Sequence, residues 1–542
     1  MTIKQKLIAS TAIWIPLMTG ACSDSSLRIA THAQLESLDP IKTTAYITRS
    51  HGYLVYDTLF ALDQNLEPKP QMVESYSTSP DGRTWTFILR PGLKWSDGSN
   101  VTSADCVASL QRWAKYDGAG QELFKDVSSL TAPDGRTIVM QLDKPNAPVL
   151  QSLAKISATV PFMMPKRVVE AAASDSIADP TGSGPYMFQK DKWTANKAVY
   201  VKNPYYVPRD DKPSMAAGAK LAKEKEIDFV YYNDQRDAVA ALVKGDVSYI
   251  ESPSTKYMSD LMGKPNVVVA STDPLGNVAM MRFNSNVAPF NNAAVRRAVL
   301  MTINQSEYME AALGDKRFYR LCYSVYPCTT PMATEAGSAI LKTANIDAAR
   351  KALAAAHYDG TPVVILNPKD IPVISALTDV TARNLKQIGM NVDVRNMTWA
   401  EMLKERANPG AWSMFHTWWL AGDVSNPLSI AFSGSSAKGW PGAPDDAQLE
   451  GYRTAYSQTS DPEAKRLLAA KVQERVLAIG ALGTLGQFYE PVAFRDNLKG
   501  ITSPIQFYWT LARDSKDSGR KRPLEGSYKG LEGQFYDENV GY

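Results

Sequence analysis

The residues best able to do chemistry gather in one stretch, Phe415-His416-Thr417-Trp418-Trp419-Leu420-Ala421-Gly422-Asp423-Val424-Ser425-Asn426-Pro427. It packs two indoles, an imidazole and a carboxylate into a few residues. It then runs into Gly and Pro, so its end is a loop. Aromatic faces beside one charge suit a site that grips a small polar ligand, with apolar walls and a few oriented polar groups. The structural alternative makes Trp418 and Trp419 core and Asp423 a turn or cap residue. On this stretch alone the structural alternative is the stronger.

Reactive chemistry is thinly supplied elsewhere. The four histidines, His32, His51, His357 and His416, form no H-E-x-x-H and no i, i+4 pair. There is no G-x-S-x-G elbow and no phosphate-binding G-x-x-x-x-G-K-[ST] loop. The pattern S-x-x-K occurs at Ser152–Lys155, Ser435–Lys438 and Ser518–Lys521, but S-D-N and K-T-G are missing. No catalytic residue, metal site or cofactor is expected, and the chain reads as a non-enzyme. Cys322 and Cys328 are close enough in sequence to form a disulfide in an exported protein. Cys106 reads as a buried, inert helix thiol.

Composition narrows the class. With 59 basic and 56 acidic residues, the net charge of +3 gives no basic excess of the kind nucleic-acid binding needs. At 542 residues the chain is too long for one core. Residues 1–21 read as a signal peptide: Lys4 and Lys6 precede an apolar run, Leu7 to Met18, too short to span a bilayer. Thr19-Gly20-Ala21-Cys22 resembles a bacterial lipobox, although Thr19 stands where Leu is usual. It implies either a lipid on Cys22, tethering the protein, or a protein free in the periplasm of a Gram-negative bacterium.

The elements that must position the site read as α/β. Leu27–Ala30 is a short strand, and a helix follows over about 48–59. Trp85–Arg90 alternates as a strand, and Pro91-Gly92 turns it into a hairpin with Leu93–Trp95. Thr102-Ser103-Ala104-Asp105 is a capping-box-like helix start. Thr137–Leu142 is another strand. Val295, Ala298, Val299 and Ile303 form a helical stripe, as do Leu377, Val380, Leu385 and Ile388. Gly389 suits a left-handed cap, and a strand begins at Asn391.

Several of these pieces carry a resemblance. Ser79-Pro80-Asp81-Gly82, Trp85 to Arg90, Leu93 to Gly98 and Thr102 to Asp105 resemble the signature of the family-5 extracellular solute-binding proteins, the peptide and nickel binders of ABC importers. Gly182-Ser183-Gly184-Pro185-Tyr186, Val201 to Tyr206, Ala240 to Val247, Arg282-Phe283-Asn284 and Val295-Arg296-Arg297-Ala298 follow in the family's order. Ser248 and Thr302-Ile303-Asn304-Gln305 depart from its pattern.

The resemblance implies a two-lobe periplasmic binding protein fold with a hinge. Lobe I would take 28–45, 185–270 and 485–542, with residues 514–542 a polar tail. An extra subdomain, 46–184, would be inserted in lobe I, and lobe II would take 271–484. The family's peptide binders pair an Asp in a loop after a Trp-containing strand with the ligand's ammonium. Asp423 falls on that Asp, with the Trp of the motif offset by one residue. Lys369 lies near a position where a dipeptide binder carries a carboxylate-binding Arg, although a solvated loop lysine is the simpler reading. Trp418, Trp419, Tyr46 and Asn284 are further ligand-binding candidates. His416 is another, though it reads better as satisfied within its strand.

The function so implied is capture of a short peptide or related amine-bearing ligand by a monomer, then delivery to ABC permease and ATPase subunits. The same scaffold also serves as a ligand-sensing receptor or adaptor, as a binder of a nickel chelate, or as an oligosaccharide binder stacking sugars on Trp418, Trp419 and Trp440.

Overall fold

The computed structural model describes residues 26–514, apart from 66, 146–147 and 173–175. The signal peptide, Cys22 and the polar tail lie outside the described residues.

Two large sheets dominate. The first orders its strands Val267–Ser271, Pro491–Arg495, Tyr249–Ile250, Leu27–Thr31, Glu226–Tyr231, Lys197–Lys202 and Tyr186–Phe188. Leu27–Thr31 runs parallel to both of its neighbours. The second orders Tyr319–Arg320, Leu482–Phe488, Asn277–Phe283, Met414–Leu420, Val363–Pro368 and Val392–Met397. Asn277–Phe283 lies at its centre and is buried along its whole length, as a strand covered on both faces must be. The chain passes between the sheets at 272–276 and again at 489–490. A separate four-stranded sheet, Val73–Thr78, Thr84–Leu89, Thr137–Leu142 and Val127–Thr131, precedes the strand at Tyr186.

Local chemistry accounts for these elements. Thr102 and Asp105 form the full capping box at the start of the helix Ser103–Tyr116. The helix Pro372–Gln387 begins with Pro in its first turn, and Gly389 follows it at φ +95°. The first helix covers Tyr46–Val55, shorter than expected, and the chain is already extended at Tyr56. The Gly182 and Gly184 turn packs against that helix end. A Cβ on Gly182 would lie 2.0 Å from the Val55 carbonyl oxygen, and one on Gly184 would lie 2.6 Å from the Val55 carbonyl carbon. That close approach explains the small residues of the Gly-Ser-Gly-Pro-Tyr motif.

Leu93–Trp95 forms no hairpin with the strand before it. Thr84–Leu89 pairs with Val73–Thr78 and Thr137–Leu142, which fill both of its edges. Lys94 makes a single bridge to Asn100. Two arginines of the family motifs have structural roles. Arg282 is fully buried and donates to the carbonyls of Trp440, Pro441, Ala431 and Ala481. Arg296 donates to those of Phe290, Ile479 and Gly480. The Cys322–Cys328 disulfide is present, with Cα atoms 5.8 Å apart. Cys106 is buried and free, and burial pushes its thiol pKa up.

Candidate functional site

The strand Met414–Leu420 carries both tryptophans to the edge of the cleft between the two sheets. It pairs antiparallel with Asn277–Phe283, so Trp418 lies opposite Ala279 and Trp419 opposite Val278. Past Leu420 the chain makes a short helical turn, Ala421–Val424, which holds Asp423. From the other side comes the helix Tyr46–Val55, which presents Tyr46 and Arg49 one turn apart.

Tyr46 joins the two sides. Its hydroxyl donates to Asp423 Oδ2 at 2.9 Å and accepts from the Leu420 backbone N–H at 2.6 Å. Ser157 Oγ also donates to Asp423 Oδ2, at 2.9 Å, and accepts from Arg49 Nη1 at 2.7 Å. The Arg49 guanidinium lies 4.6 Å from the centre of the Tyr46 ring. Asp423 Oδ1 has no hydrogen-bond partner among the described residues. Burial pushes the Asp423 pKa up, and the Arg49 and Lys155 charges offset this only in part. Burial, then the Asp423 charge, raises Tyr46 well above the usual phenol range, so it remains a donor.

Beside Tyr46 lies a narrow cavity of about 30 Å³, walled by Trp399, Trp418, Trp419, Trp440 and Arg406 among others. Both candidate indoles line it. Trp419 is 3% exposed and meets Trp440 edge-on at 5.1 Å. Trp418 is less buried and stacks with Trp399 at 6.5 Å, with 17° between the rings. Asp423 is not part of this wall and stands behind Tyr46. A second narrow void, also of about 30 Å³, adjoins through His32, Ile371 and Trp418 and reaches Glu490 in the crossing 489–490. Burial opposes charge on His32, but Glu251 at 2.6 Å outweighs it and raises the imidazole pKa. Glu490 has no such counter-charge bonded to it, and burial pushes its pKa up.

Further bonds draw the two sides together. Arg406 donates to Thr44 at 3.2 Å, Tyr231 to Asp370 at 3.4 Å and Ser457 to Glu122 at 2.9 Å.

Besides Asp423, three sequence candidates do not line the cavity. Lys369 is half exposed, bonds Ser375 at 2.8 Å and lies on an open groove beside the helix Pro372–Gln387. Asn284 is spent on the carbonyls of Pro409 and Trp412. His416 is fully buried between Thr378 and Thr381, and burial lowers its pKa to about 3. Arg49, Ser157, Trp399 and Arg406 were missed. Arg49 had a readable signal, since it follows Tyr46 by three residues on one helix face. Arg406 ends the helix Trp399–Glu405, a position where a charge carries no signal of its own. Nothing near Ser157 in the chain announces it.

Two α/β halves meeting over an aromatic cavity, with the chain crossing twice between them, define a two-lobe periplasmic binding protein. The sequence profile described as bacterial extracellular solute-binding proteins, family 5 Middle, matches residues 67–440, and the chain belongs to that family. It is 29% identical over 528 residues to a probable peptide ABC transporter periplasmic-binding protein of Sinorhizobium fredii, covering 94% of this chain and 98% of that one. Among solved structures it resembles the binding protein AgaA of Agrobacterium with agropinic acid, at TM-score 0.76 and 20% identity, over 90% of this chain and 99% of that one. It also resembles Haemophilus influenzae OppA with the peptide RPPGFSPFR, at TM-score 0.74 and 20% identity, over 91% and 99%. No described helix is long and apolar enough to cross a membrane.

Proposed function

We propose that this protein is the substrate-binding component of an ABC importer. It captures a short peptide or a related amine-bearing ligand between its lobes and hands it to the permease. The observation that carries the ligand class is the Asp423 carboxylate. It lies at the meeting of the two sides, has Oδ2 held by Tyr46 and Ser157, and keeps Oδ1 open. Its raised pKa marks a carboxylate short of positive charge. A ligand ammonium on Oδ1 supplies that charge in a dry cleft, where a charge-assisted bond is strong. Tyr46 fixes the carboxylate's orientation, and the tryptophans give apolar walls to the rest of the ligand. The family relationship and the peptide transporter relative support the importer role.

Binding to both lobes biases the hinge toward closure, because the ligand's contacts exist together only when the lobes meet. Export, by the signal peptide, and tethering through Cys22 belong to the same reading. Asp423→Ala is expected to abolish the thermal stabilisation that a carried ligand or a peptide mixture gives, while the ligand-free protein still unfolds cooperatively. Stabilisation of the variant equal to that of the unaltered protein would refute Asp423 as the anchor.

A further inference from the structure

Two acids stand near the crossing 489–490, and they are not equally satisfied. Glu251 accepts from the His32 backbone N–H at 3.0 Å, from the His32 imidazole at 2.6 Å and from the Tyr508 hydroxyl. Glu490, on the wall of the second void, has neutral donors only among the described residues: the Asn277 amide at 3.1 Å and the Ser252 hydroxyl. The cation that acts on it through charge is His32, and Glu251 already meets that charge. Burial opposes charge on both acids. On Glu251 the His32 contact outweighs burial and lowers the pKa, whereas on Glu490 burial wins and raises it.

A second acceptor beside Glu490 is idle. Asn277 Oδ1 belongs to the amide whose Nδ2 donates to Glu490, and it is buried with no hydrogen-bond partner among the described residues. Asn277 is 3% exposed. A buried acceptor without a donor is costly, and a carboxylate without a cation more so. The missing complement is positively charged and rich in donors, as an ammonium with its three N–H groups is. Size narrows it further. The void measures about 30 Å³, and a single water needs about 10–15 Å³. It has room for an ammonium at the end of a chain and none for a ring.

We propose that Glu490 is a second acid of the binding site and takes an ammonium carried on an unbranched chain of the ligand, such as a lysine or ornithine side chain. The inference rests on the amine-bearing ligand of the preceding section and adds a subsite that does not involve Asp423. Trp418 and Ile371 line both voids, so an alkyl chain laid against them leads from the first void into the second. The methylenes of a basic side chain then meet apolar walls while its charged end meets the carboxylate. That bond is charge-assisted and shielded from water, which makes it strong. Glu490 sits where the chain crosses between the sheets, and Asn277, which holds it, begins the central strand of the second sheet. A cation bound there contacts the crossing itself.

The test strips the purified full chain of carried ligand by unfolding and refolding. It is then offered an equimolar set of dipeptides in which alanine is followed by lysine, ornithine, norleucine or Nε-acetyl-lysine. Norleucine keeps the carbon chain of lysine and lacks its ammonium. Each peptide is present with its α-amine free and with it acetylated. Retained species are eluted and quantified by mass spectrometry. Alanyl-lysine is expected to be retained over alanyl-norleucine, and over the Nε-acetylated form, by about tenfold or more. Glu490→Gln keeps an acceptor for Asn277 and is expected to erase that preference. Glu490→Asp is expected to keep part of it, with cooperative unfolding checked for both. Equal retention of lysine and norleucine peptides by the unaltered protein would overturn the Glu490 proposal and leave the Asp423 reading standing. Persistence of the preference in folded Glu490→Gln would overturn it too. Retention of α-acetylated peptides as well as free ones would count against Asp423 alone. Retention of no peptide in any form would overturn the short-peptide reading and this proposal with it.

Discussion

Asp423 is held by groups of two kinds, and they set how it can act. Tyr46 and Ser157 bond one oxygen, while Arg49 and Lys155 act through charge. A second acid, Asp273, lies in the crossing between the sheets. Burial, and after it the Asp423 charge, push its pKa up to about 6, although the backbone N–H of Leu275 binds it at 2.9 Å. Between about pH 4 and pH 6 the folded protein therefore holds a proton there that the unfolded chain has lost. Stability falls as pH rises from about 4 to about 6, and the deficit persists above that. Asp273→Asn keeps an acceptor for Leu275 and removes the charge. It is expected to be more stable than the unaltered protein by about 1–2 kcal/mol at pH 7, and the difference should vanish near pH 4. Urea unfolding at the two pH values reads this directly, and an equal effect at both would refute it. The Gly-Asp-x-x-Asn-Pro setting of Asp423 reads as a loop in the sequence, and the structure places Asp423 in a short turn just after the aromatic strand. The placement of Arg406 on the cavity wall is not readable, because a lone arginine at a helix end looks the same whether its charge meets water or a cavity.

At the scale of elements, sequence patterns that act over a few residues were the readable ones. The Thr102–Asp105 capping box closes as the spacing predicts, with the Thr102 N–H donating to Asp105 at 2.8 Å. Thr102→Ala is expected to cost about 1 kcal/mol, seen as a lower unfolding midpoint without change in ligand preference. No loss of stability would mean that the helix is held by packing alone. The Gly389 cap and the stripe of Pro372–Gln387 were legible for the same local reason. The Leu93–Trp95 hairpin was misread because strand pairing is decided by distant partners. Thr84–Leu89 finds Val73–Thr78 before it and Thr137–Leu142 after it, and neither pairing shows in a turn motif. Lys369 stands on an open groove rather than on the tryptophan-walled cavity, and closeness along the chain to a family position does not say which side of a strand end faces the cleft.

At the scale of the molecule, two α/β lobes were legible from motif order. How closely they meet was not, because that rests on backbone approach. Gly118, capped by Asp117, shows it: a Cβ there would lie 2.9 Å from the Leu428 carbonyl oxygen across the cleft. Gly118→Val is expected to hold the lobes apart. Small-angle scattering should show a larger radius of gyration, and ligand affinity should fall at least tenfold while unfolding stays cooperative. An unchanged radius and affinity would show that the contact is dispensable for closure.

Capture of an amine-bearing small molecule through Asp423 can be read by native mass spectrometry of the purified protein. A discrete small ligand with an amine is expected, bound one to one on the unaltered protein and absent from Asp423→Ala. A ligand without an amine, or one carried equally by both proteins, would contradict it.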